Sequence, residues 1–207
     1  MTTKLELYYS PHACSFAVHS LIRELDLDCK YVVVDLKTKK TNDGRDFLTV
    51  NPKGMVPTLI TENKEILTEN VAILQYLADR YKATQFLPAI PDFKRYRVLE
   101  SLAYLASDWH KGFSALFAEK VPNDLKKSFF IPNLRKRLQG LSDDLAKHPY
   151  LTGNECTVAD FYFLATLPWL ELAAVDLDKE YKPVAEFQKR MMQRKAVKEA
   201  LETEENS

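Results

Sequence analysis

The feature that most constrains the fold is a change of hydrophobic pattern after residue 82 of this 207-residue chain. Short apolar runs of the kind that form strands occur only before that point. Beyond Pro88 and Pro91, apolar residues recur at three- and four-residue spacings, which is the period of a helix. Because prolines interrupt regular structure, we predict an α/β domain over residues 1–82, a linker over residues 83–92 and an all-helical domain over residues 93–207.

The first domain is predicted to contain a βαβ motif followed by a ββα motif. The apolar run Leu5–Tyr9 predicts a strand, and the spacing of apolar residues from Cys14 onward predicts a helix. The β-branched run at positions 31–36 predicts a second strand, parallel to the first and buried on both faces. A short strand after Pro57, a strand over residues 65–67 and a helix over residues 71–81 complete the motif.

The second domain is predicted to consist of helices only. The first of them is long and carries a stripe that we expect to face inward: Tyr96, Leu99, Ala103, Ala106, His110, Phe113 and Phe117. Further helical patterns cover about residues 124–147, 158–173 and 184–201. The segment Thr157 to Asp160 has the form of a capping box, and the acidic tail ETEENS is expected to fray.

The composition excludes several kinds of partner. Basic and acidic residues are equal in number, 29 of each, whereas nucleic acids and anionic membranes attract a basic excess. No apolar run approaches the roughly 18 residues that a membrane-spanning helix needs, and no secretory signal is evident. The three cysteines are widely spaced, which is typical of a reducing compartment. We therefore expect a cytoplasmic protein with no nucleic-acid or membrane partner, and the scattered histidines predict no metal site.

Cys14 lies where a predicted strand gives way to a predicted helix. A thiol in the first turn of a helix meets the positive end of the helix dipole and unpaired N–H groups, which favour the thiolate. The alternative is a buried structural cysteine. A CxxC redox pair is excluded because positions 11 and 17 are Pro11 and Ala17, so disulfide chemistry would need an external thiol. His19 is expected to pack or to lie at the surface, away from the Cys14 sulfur.

Two further segments could hold a ligand. A proline that starts an edge strand leaves the backbone of Val56 free to pair with an extended tripeptide, and the Val56–Pro57 bond could be cis. Glu69 and Asn70 stand at a helix start, where free N–H groups suit a ligand carboxylate and the Glu69 side chain suits an ammonium group. A tight structural turn and ordinary helix capping are the alternatives.

Five sequence blocks, in this order, resemble those of the cytosolic glutathione transferases, most of all the bacterial beta class: SPHACSFAVH, VNPKGMVPTL, LTENVAILQYLAD, DWHKGF and TVADFYFL. The resemblance covers essentially the whole chain. It implies the glutathione transferase fold, in which a thioredoxin-like α/β domain precedes an all-α domain, and a cytoplasmic homodimer. It also implies glutathione as co-substrate, a small hydrophobic electrophile as second substrate, and a role in detoxification.

The resemblance also implies roles for residues of the first domain. Cys14 would contact the glutathione sulfur or form a mixed disulfide with it. Val56 would pair its backbone with the cysteinyl part of the tripeptide, with Pro57 cis. Glu69 and Asn70 would hold the γ-glutamyl end. One lysine of the run at positions 37–40, which contains Lys37, Lys39 and Lys40, would meet the glycyl carboxylate.

The resemblance extends to the DWHKGF block, where His110 and Lys111 would line the sulfur side and the second-substrate pocket. Ser15 and Tyr9 are hydroxyl donors in matching neighbourhoods. Two residues depart from the family pattern. Ala103 stands where beta-class relatives often carry an asparagine near the sulfur, and Asn70 replaces a serine that is common at the helix start.

The chemistry that the resemblance implies is the attack of a glutathione thiolate on an electrophile packed against the helical domain. A glutathione-dependent thiol–disulfide or reductive dehalogenating reaction is a close variant that needs Cys14 as nucleophile. A non-catalytic binding or interaction protein built on the same scaffold is the main alternative. A maleylacetoacetate-isomerase-like enzyme is another, although the serine-rich helix start of that family differs from HACSF.

Overall fold

The computed structural model describes residues 4–207, whose contacts divide the chain into two compact units. The first unit contains the residues up to Thr84 together with Met192–Ser207, and the second contains Gln85–Met191. The predicted domain limits stay a prediction, and the packing differs from them in one respect. The last segment of the chain belongs to the α/β unit, although the sequence assigns it to the helical domain.

A five-stranded mixed sheet forms the centre of the first unit. Its strands are β1 Leu5–Tyr9, β2 Cys29–Asp35, β3 Lys40–Thr41, β4 Thr58–Ile60 and β5 Ile66–Thr68. Their order across the sheet is β3-β2-β1-β4-β5. The pair β1 and β2 is parallel, as predicted, and all other neighbours are antiparallel. Helices α1 Phe16–Glu24 and α2 Asn70–Arg80 follow β1 and β5, so the predicted βαβ-ββα order is confirmed, with β3 as an additional short strand.

Burial differs between the two parallel strands. In β1, Leu7 and Tyr8 project to opposite faces, and each is at most 1% exposed because β1 lies in the centre of the sheet. In β2, Val32 and Val34 are buried, but Tyr31 and Val33 are only half-buried. The prediction that β2 is buried on both faces is therefore wrong: one face of this strand is incompletely covered.

The C-terminal helix α10, Lys195–Glu205, packs against α1. Glu204 is 2% exposed, and one of its carboxylate oxygens lies 3.1 Å from Nδ1 of the fully buried His19. The other oxygen accepts a hydrogen bond of 3.0 Å from the backbone N–H of His12. The expectation that this acidic tail frays is wrong, because a buried histidine and a loop N–H supply the partners that Glu204 needs.

The second unit is helical. Its elements, with two π-helical stretches and one 3₁₀ stretch, are α3 Phe93–Tyr104, π-helix Leu105–His110, α4 Ser114–Phe117, α5 Asn123–Leu125, π-helix Lys126–Phe130, α6 Ile131–Leu145, α7 Val158–Thr166, 3₁₀-helix Leu167–Ala173, α8 Leu177–Glu180 and α9 Lys182–Met192. The helix predicted over residues 184–201 is therefore two helices, because the chain breaks between α9 and α10.

The inward stripe predicted for the long helix is displaced. Of the predicted set, only Phe113 is buried, whereas Tyr96 is 49% exposed and Phe117 is 53% exposed. The buried side chains belong to a neighbouring stripe with the same three-four spacing: Val98, Leu102, Leu105, Trp109 and Phe113. The two stripes share one period, so spacing alone does not distinguish them.

The predicted capping box at the start of α7 is confirmed. Asp160 accepts hydrogen bonds of 2.7 Å and 2.9 Å from the backbone and hydroxyl of Thr157, and one of 2.9 Å from the N–H of Leu151. Burial raises the pKa of Asp160 to about 6. Within residues 4–207, no helix is both long enough and apolar enough to cross a membrane.

We expect the contribution of His19 to stability to depend on pH. Burial lowers the pKa of His19 in the folded protein, although its contact with Glu204 opposes that shift. Below the unfolded-state pKa of about 6.5, the unfolded chain therefore binds a proton that the folded chain does not, and stability is lost as the pH falls. The free-energy difference of unfolding between the wild type and His19→Asn should shrink between about pH 7.5 and pH 5.5.

Urea unfolding at several pH values measures this difference. His148→Asn is the matched control, because His148 is exposed and should leave the pH dependence of the wild type unchanged. A His19→Asn difference that stays constant or grows over this range would contradict the assignment of His19 as a buried neutral imidazole.

Candidate active site

The loop between β1 and α1 is held in place by Ser15. This side chain is fully buried; its hydroxyl accepts a hydrogen bond of 3.2 Å from the N–H of Ser10 and donates one of 3.2 Å to the carbonyl of the same residue. The backbone N–H of Ala13 adds a further bond to that carbonyl, at 3.1 Å. Ser15 therefore closes the loop that carries Cys14, and its role as a hydroxyl donor to glutathione remains a prediction.

Cys14 lies in this loop, two residues before the first residue of α1. Its half-buried side chain donates its S–H to the carbonyl oxygen of Val56, with a sulfur–oxygen distance of 3.4 Å. Burial raises the pKa of Cys14 to about 12, although a contact from the side chain of Asn70 opposes the shift. The expectation that the helix start favours the thiolate is wrong, because burial raises the pKa of this thiol more than the nearby hydrogen bonds lower it.

The Val56–Pro57 peptide bond is cis, as predicted. Val56 is 7% exposed, and Pro57 is buried directly before β4. The prediction left both backbone polar groups of Val56 unpaired, whereas its carbonyl accepts the Cys14 S–H. The structure therefore joins Cys14 and Val56 by a direct hydrogen bond.

Asn70 connects the start of α2 to the Cys14 loop. Its side-chain amide donates a hydrogen bond of 3.0 Å to the carbonyl of Cys14. Asn70 is 5% exposed, and its side-chain oxygen has no hydrogen-bond partner within residues 4–207. Ordinary helix capping, the alternative interpretation of this position, is not observed. The Asn70 amide bonds to the loop before α1 instead.

Glu69, directly before α2, has the unusual backbone angles φ 75° and ψ 124°. A side chain at positive φ costs free energy, and such residues cluster at functional sites. The Glu69 carboxylate is exposed, and one of its oxygens lies 3.1 Å from Nζ of Lys53. The structure thus places a solvent-facing acid beside Asn70 and beside a lysine that the sequence analysis did not select.

Of the candidate lysines, Lys39 is the one with a contact in this region. Its Nζ donates a hydrogen bond of 2.8 Å to the carbonyl of Gly54. Lys37 and Lys40 are exposed. The contact places the ammonium group of Lys39 at the turn that leads to Val56, and it favours Lys39 within the predicted run.

Asn51, which the sequence analysis also missed, shapes that turn. Its side-chain oxygen accepts a hydrogen bond of 3.0 Å from the N–H of Lys53, and its amide donates bonds of 2.9 Å to the carbonyl of Met55 and the hydroxyl of Thr58. The sequence signal was the NPKG segment itself, because an asparagine before a turn commonly bonds to the backbone two residues on.

Tyr9 has its contacts in a different part of the first unit. It is 2% exposed, and its ring packs against His19 at 5.2 Å and Tyr31 at 6.3 Å between ring centroids. Burial raises the pKa of Tyr9, and a hydrogen bond with Ser207 opposes that shift. The structure does not bring the Tyr9 ring into the group formed by Cys14 and Val56, and its role as a glutathione contact remains a prediction.

In the second unit, His110 and Lys111 face different surroundings. His110 Nδ1 lies 2.8 Å from the hydroxyl of Tyr162, and its ring packs on Trp169 with 4.9 Å between centroids. Trp169 also contacts Phe113 and Phe117. Lys111 is exposed and instead lines a cleft of about 370 Å³ with Ser107, Asp108, Phe129, Phe130 and Arg137. The two residues are therefore not paired in one pocket of this unit.

Ala103 is exposed on α3. No group of three or more histidine, cysteine, aspartate or glutamate side chains arranged to hold a metal ion occurs in the part of the chain that the structure describes.

Comparisons with known proteins find relatives of this chain over almost its full length. The family model described as the N-terminal domain of glutathione S-transferase matches residues 3–79, and the model of the C-terminal domain matches residues 107–204. The chain is 38% identical over 200 residues to the glutathione S-transferase GstA of Escherichia coli O157:H7. The aligned region covers 97% of this chain and 98% of that protein.

Solved structures of two relatives are also similar. A sphingomonad glutathione S-transferase complexed with glutathione gives a TM-score of 0.92 at 39% identity and covers 98% of this chain and 100% of its own. A beta-class glutathione S-transferase of Sphingomonas chungbukensis gives a TM-score of 0.90 at 36% identity, with 96% and 98% coverage.

The order of the two units, thioredoxin-like and then helical, is thus that of the glutathione S-transferase fold. The chain belongs to the glutathione S-transferase family, and its similarities include the bacterial beta class. The predicted family, fold class and enzyme class are confirmed.

We expect Asn51→Ala to destabilise the protein by about 2–3 kcal/mol, because it removes the three hydrogen bonds of a buried side chain and leaves the Lys53 N–H without its acceptor. Asn51 is 3% exposed, so water cannot readily replace these bonds. Thermal and urea unfolding measure the loss. Asn63→Ala, at an exposed turn position, is the control and should change the stability little; equal effects of the two substitutions would contradict the role of Asn51.

Proposed function

We propose that the first unit binds glutathione through Cys14, Val56, Glu69 and Asn70, and that the enzyme conjugates it to small hydrophobic electrophiles. The observation that carries this proposal is the pair of hydrogen bonds that converge on the Cys14 loop. One runs from the Cys14 sulfur to Val56, and the other from the Asn70 amide to the Cys14 carbonyl. They bring together three chain segments that the sequence analysis associated with separate parts of one tripeptide.

The tripeptide is assigned along this group as follows. Its cysteinyl backbone pairs with the backbone of Val56 in an extended, strand-like manner. Its γ-glutamyl end meets Glu69 through the ammonium group and the free N–H groups at the start of α2 through the carboxylate. The glycyl carboxylate meets Lys39, whose ammonium group the bond to Gly54 fixes near the same turn.

We propose that Cys14 acts as a hydrogen-bond donor and not as the nucleophile. With a pKa raised to about 12, its side chain is a neutral thiol near pH 7, so it can donate its S–H. On glutathione binding the donated hydrogen would move from the Val56 carbonyl to the glutathione sulfur. That bond favours the glutathione thiolate, whose proton passes to solvent, and the thiolate then forms a carbon–sulfur bond as the leaving group departs.

The electrophile is assigned to the aromatic residues of the second unit. Phe117 is 53% exposed and packs edge-on against Trp169, with 5.2 Å between centroids. These rings offer an apolar surface, and His110 on the same cluster supplies a polar nitrogen. The homodimer, the cytoplasmic location and the role in detoxification are proposals supported by the family resemblance.

Glu69→Gln should weaken glutathione binding about five- to tenfold, because the amide keeps the shape of the side chain but loses the charge that meets the ligand ammonium. Isothermal titration of the reduced protein measures the dissociation constant. Glu65→Gln is the matched control, because Glu65 is an exposed acid at the other end of β5, and this variant should bind as the wild type does. Wild-type protein that fails to bind glutathione would overturn the proposed function.

Substitution of Cys14 should separate the two thiol chemistries. If Cys14 only donates a hydrogen bond, Cys14→Ser should keep most of the conjugating activity. Cys14→Ala should raise the pKa of bound glutathione, seen in the pH dependence of kcat/KM for the electrophile at saturating glutathione. Conjugation of a chromogenic electrophile measures both. Activity that disappears equally in the two variants would show instead that the sulfur is the nucleophile.

A further inference from the structure

Lys53 makes an ion pair that folding does not explain. Its Nζ lies 3.1 Å from a carboxylate oxygen of Glu69 and 3.3 Å from the hydroxyl of Thr68. The two charged side chains are exposed, at 60% for Lys53 and 69% for Glu69. Exposed pairs of this kind contribute little to stability, typically about 0–1 kcal/mol. The placement of this pair at the start of α2 therefore calls for another explanation.

The position of Lys53 is fixed by buried structure even though its ammonium group is in water. Its backbone N–H donates to the side chain of Asn51, which also bonds to Met55 and Thr58. These contacts hold the turn that carries Lys53 across from β5 and Glu69. A long side chain that starts from a rigid turn loses less freedom when it binds a charged group.

A lysine and a glutamate side by side at a helix start complement the two charges of an α-amino acid. The γ-glutamyl end of glutathione carries such a head, with an ammonium group and a carboxylate on one carbon atom. When this head enters between Lys53 and Glu69, the ligand carboxylate replaces Glu69 as the partner of Lys53. The ligand ammonium group replaces Lys53 as the partner of Glu69, so every charge keeps a counter-ion. The buried, unpartnered oxygen of Asn70 lies at the same helix start and is an independent sign of an unfilled polar site.

We propose that Lys53 determines specificity for the γ-glutamyl end of glutathione by binding its α-carboxylate together with the N–H groups at the start of α2, while Glu69 binds its ammonium group. This inference rests on the proposed glutathione-binding function of the first unit. It divides the recognition of one zwitterion between two residues on different chain segments, and it predicts that the contribution of Lys53 depends on the ligand carboxylate.

The test compares two ligands by isothermal titration at low salt: glutathione and 4-aminobutyryl-cysteinylglycine, which lacks only the α-carboxylate. Lys53→Ala should raise the dissociation constant of glutathione by a factor about three to five times larger than the factor for the analogue. That is the size expected for an exposed charged contact. Lys53→Arg keeps the charge and should restore most of that difference. The difference should fall at high salt, because exposed charges are screened.

Lys30→Ala is the matched control. Lys30 is 58% exposed, and its Nζ lies 3.0 Å from a carboxylate oxygen of Glu6, so it forms an ion pair like that of Lys53 elsewhere in the first unit. This variant should bind both ligands as the wild type does. A general effect of losing one positive charge would appear in both lysine variants and would overturn the assignment.

Two further results would be decisive in different ways. If wild-type protein binds glutathione, and Lys53→Ala changes the binding of both ligands by the same factor, Lys53 only competes with ligands for Glu69; the inference is then wrong and the proposed function stands. If wild-type protein binds neither ligand, the proposed function is wrong and the assignment of Lys53 is overturned with it.

Discussion

The candidate site depends on one hydrogen bond, from the side-chain amide of Asn70 to the carbonyl of Cys14. It joins the start of α2 to the loop before α1, two segments far apart in sequence. It holds the start of α2, next to Glu69, against the loop that carries Cys14. Because the bond uses the Asn70 amide group, it also leaves the oxygen of the same side chain buried and available. A serine side chain is shorter and has one oxygen atom as both donor and acceptor. Asn70 instead donates to the Cys14 carbonyl with its amide nitrogen and keeps a separate acceptor oxygen at the start of α2.

Two acidic groups of the candidate site differ in their exposure to water. The Cys14 thiol is buried near a helix start and stays protonated near pH 7. Burial raises its pKa to about 12, because the nearby hydrogen bonds stabilise the thiolate less than water would. The Glu69 carboxylate is exposed to water, on a backbone held at positive φ. The site therefore combines a neutral sulfur donor with a charged rim, an arrangement suited to a ligand whose sulfur lies deep and whose charged ends lie near solvent.

Most of the α/β unit could be predicted from the sequence, because its signals are local: the apolar run of β1, the helical spacing that follows it, and the proline before β4. The capping box of α7 was equally clear, since both of its partners lie within four residues. The failures involve contacts between distant residues. The buried state of Glu204 depends on His19, and the protonation of Cys14 depends on how much water its neighbours exclude. Lys53 was missed because a lone lysine in a turn is usually solvated, and only the folded chain shows its acidic partner.

The first unit is discontinuous, because α10 packs on α1 and Glu204 accepts a hydrogen bond from the loop that carries Cys14. During synthesis, the sheet and its first two helices leave the ribosome long before α10 has been made. The whole second unit, Gln85–Met191, is translated in between. The loop therefore acquires its last backbone partner only after the helical unit is complete, which reverses the usual order in which an N-terminal domain matures first. A fragment that ends at Thr84 would carry every residue proposed to bind glutathione and still lack the helix whose Glu204 bonds to the loop that carries Cys14.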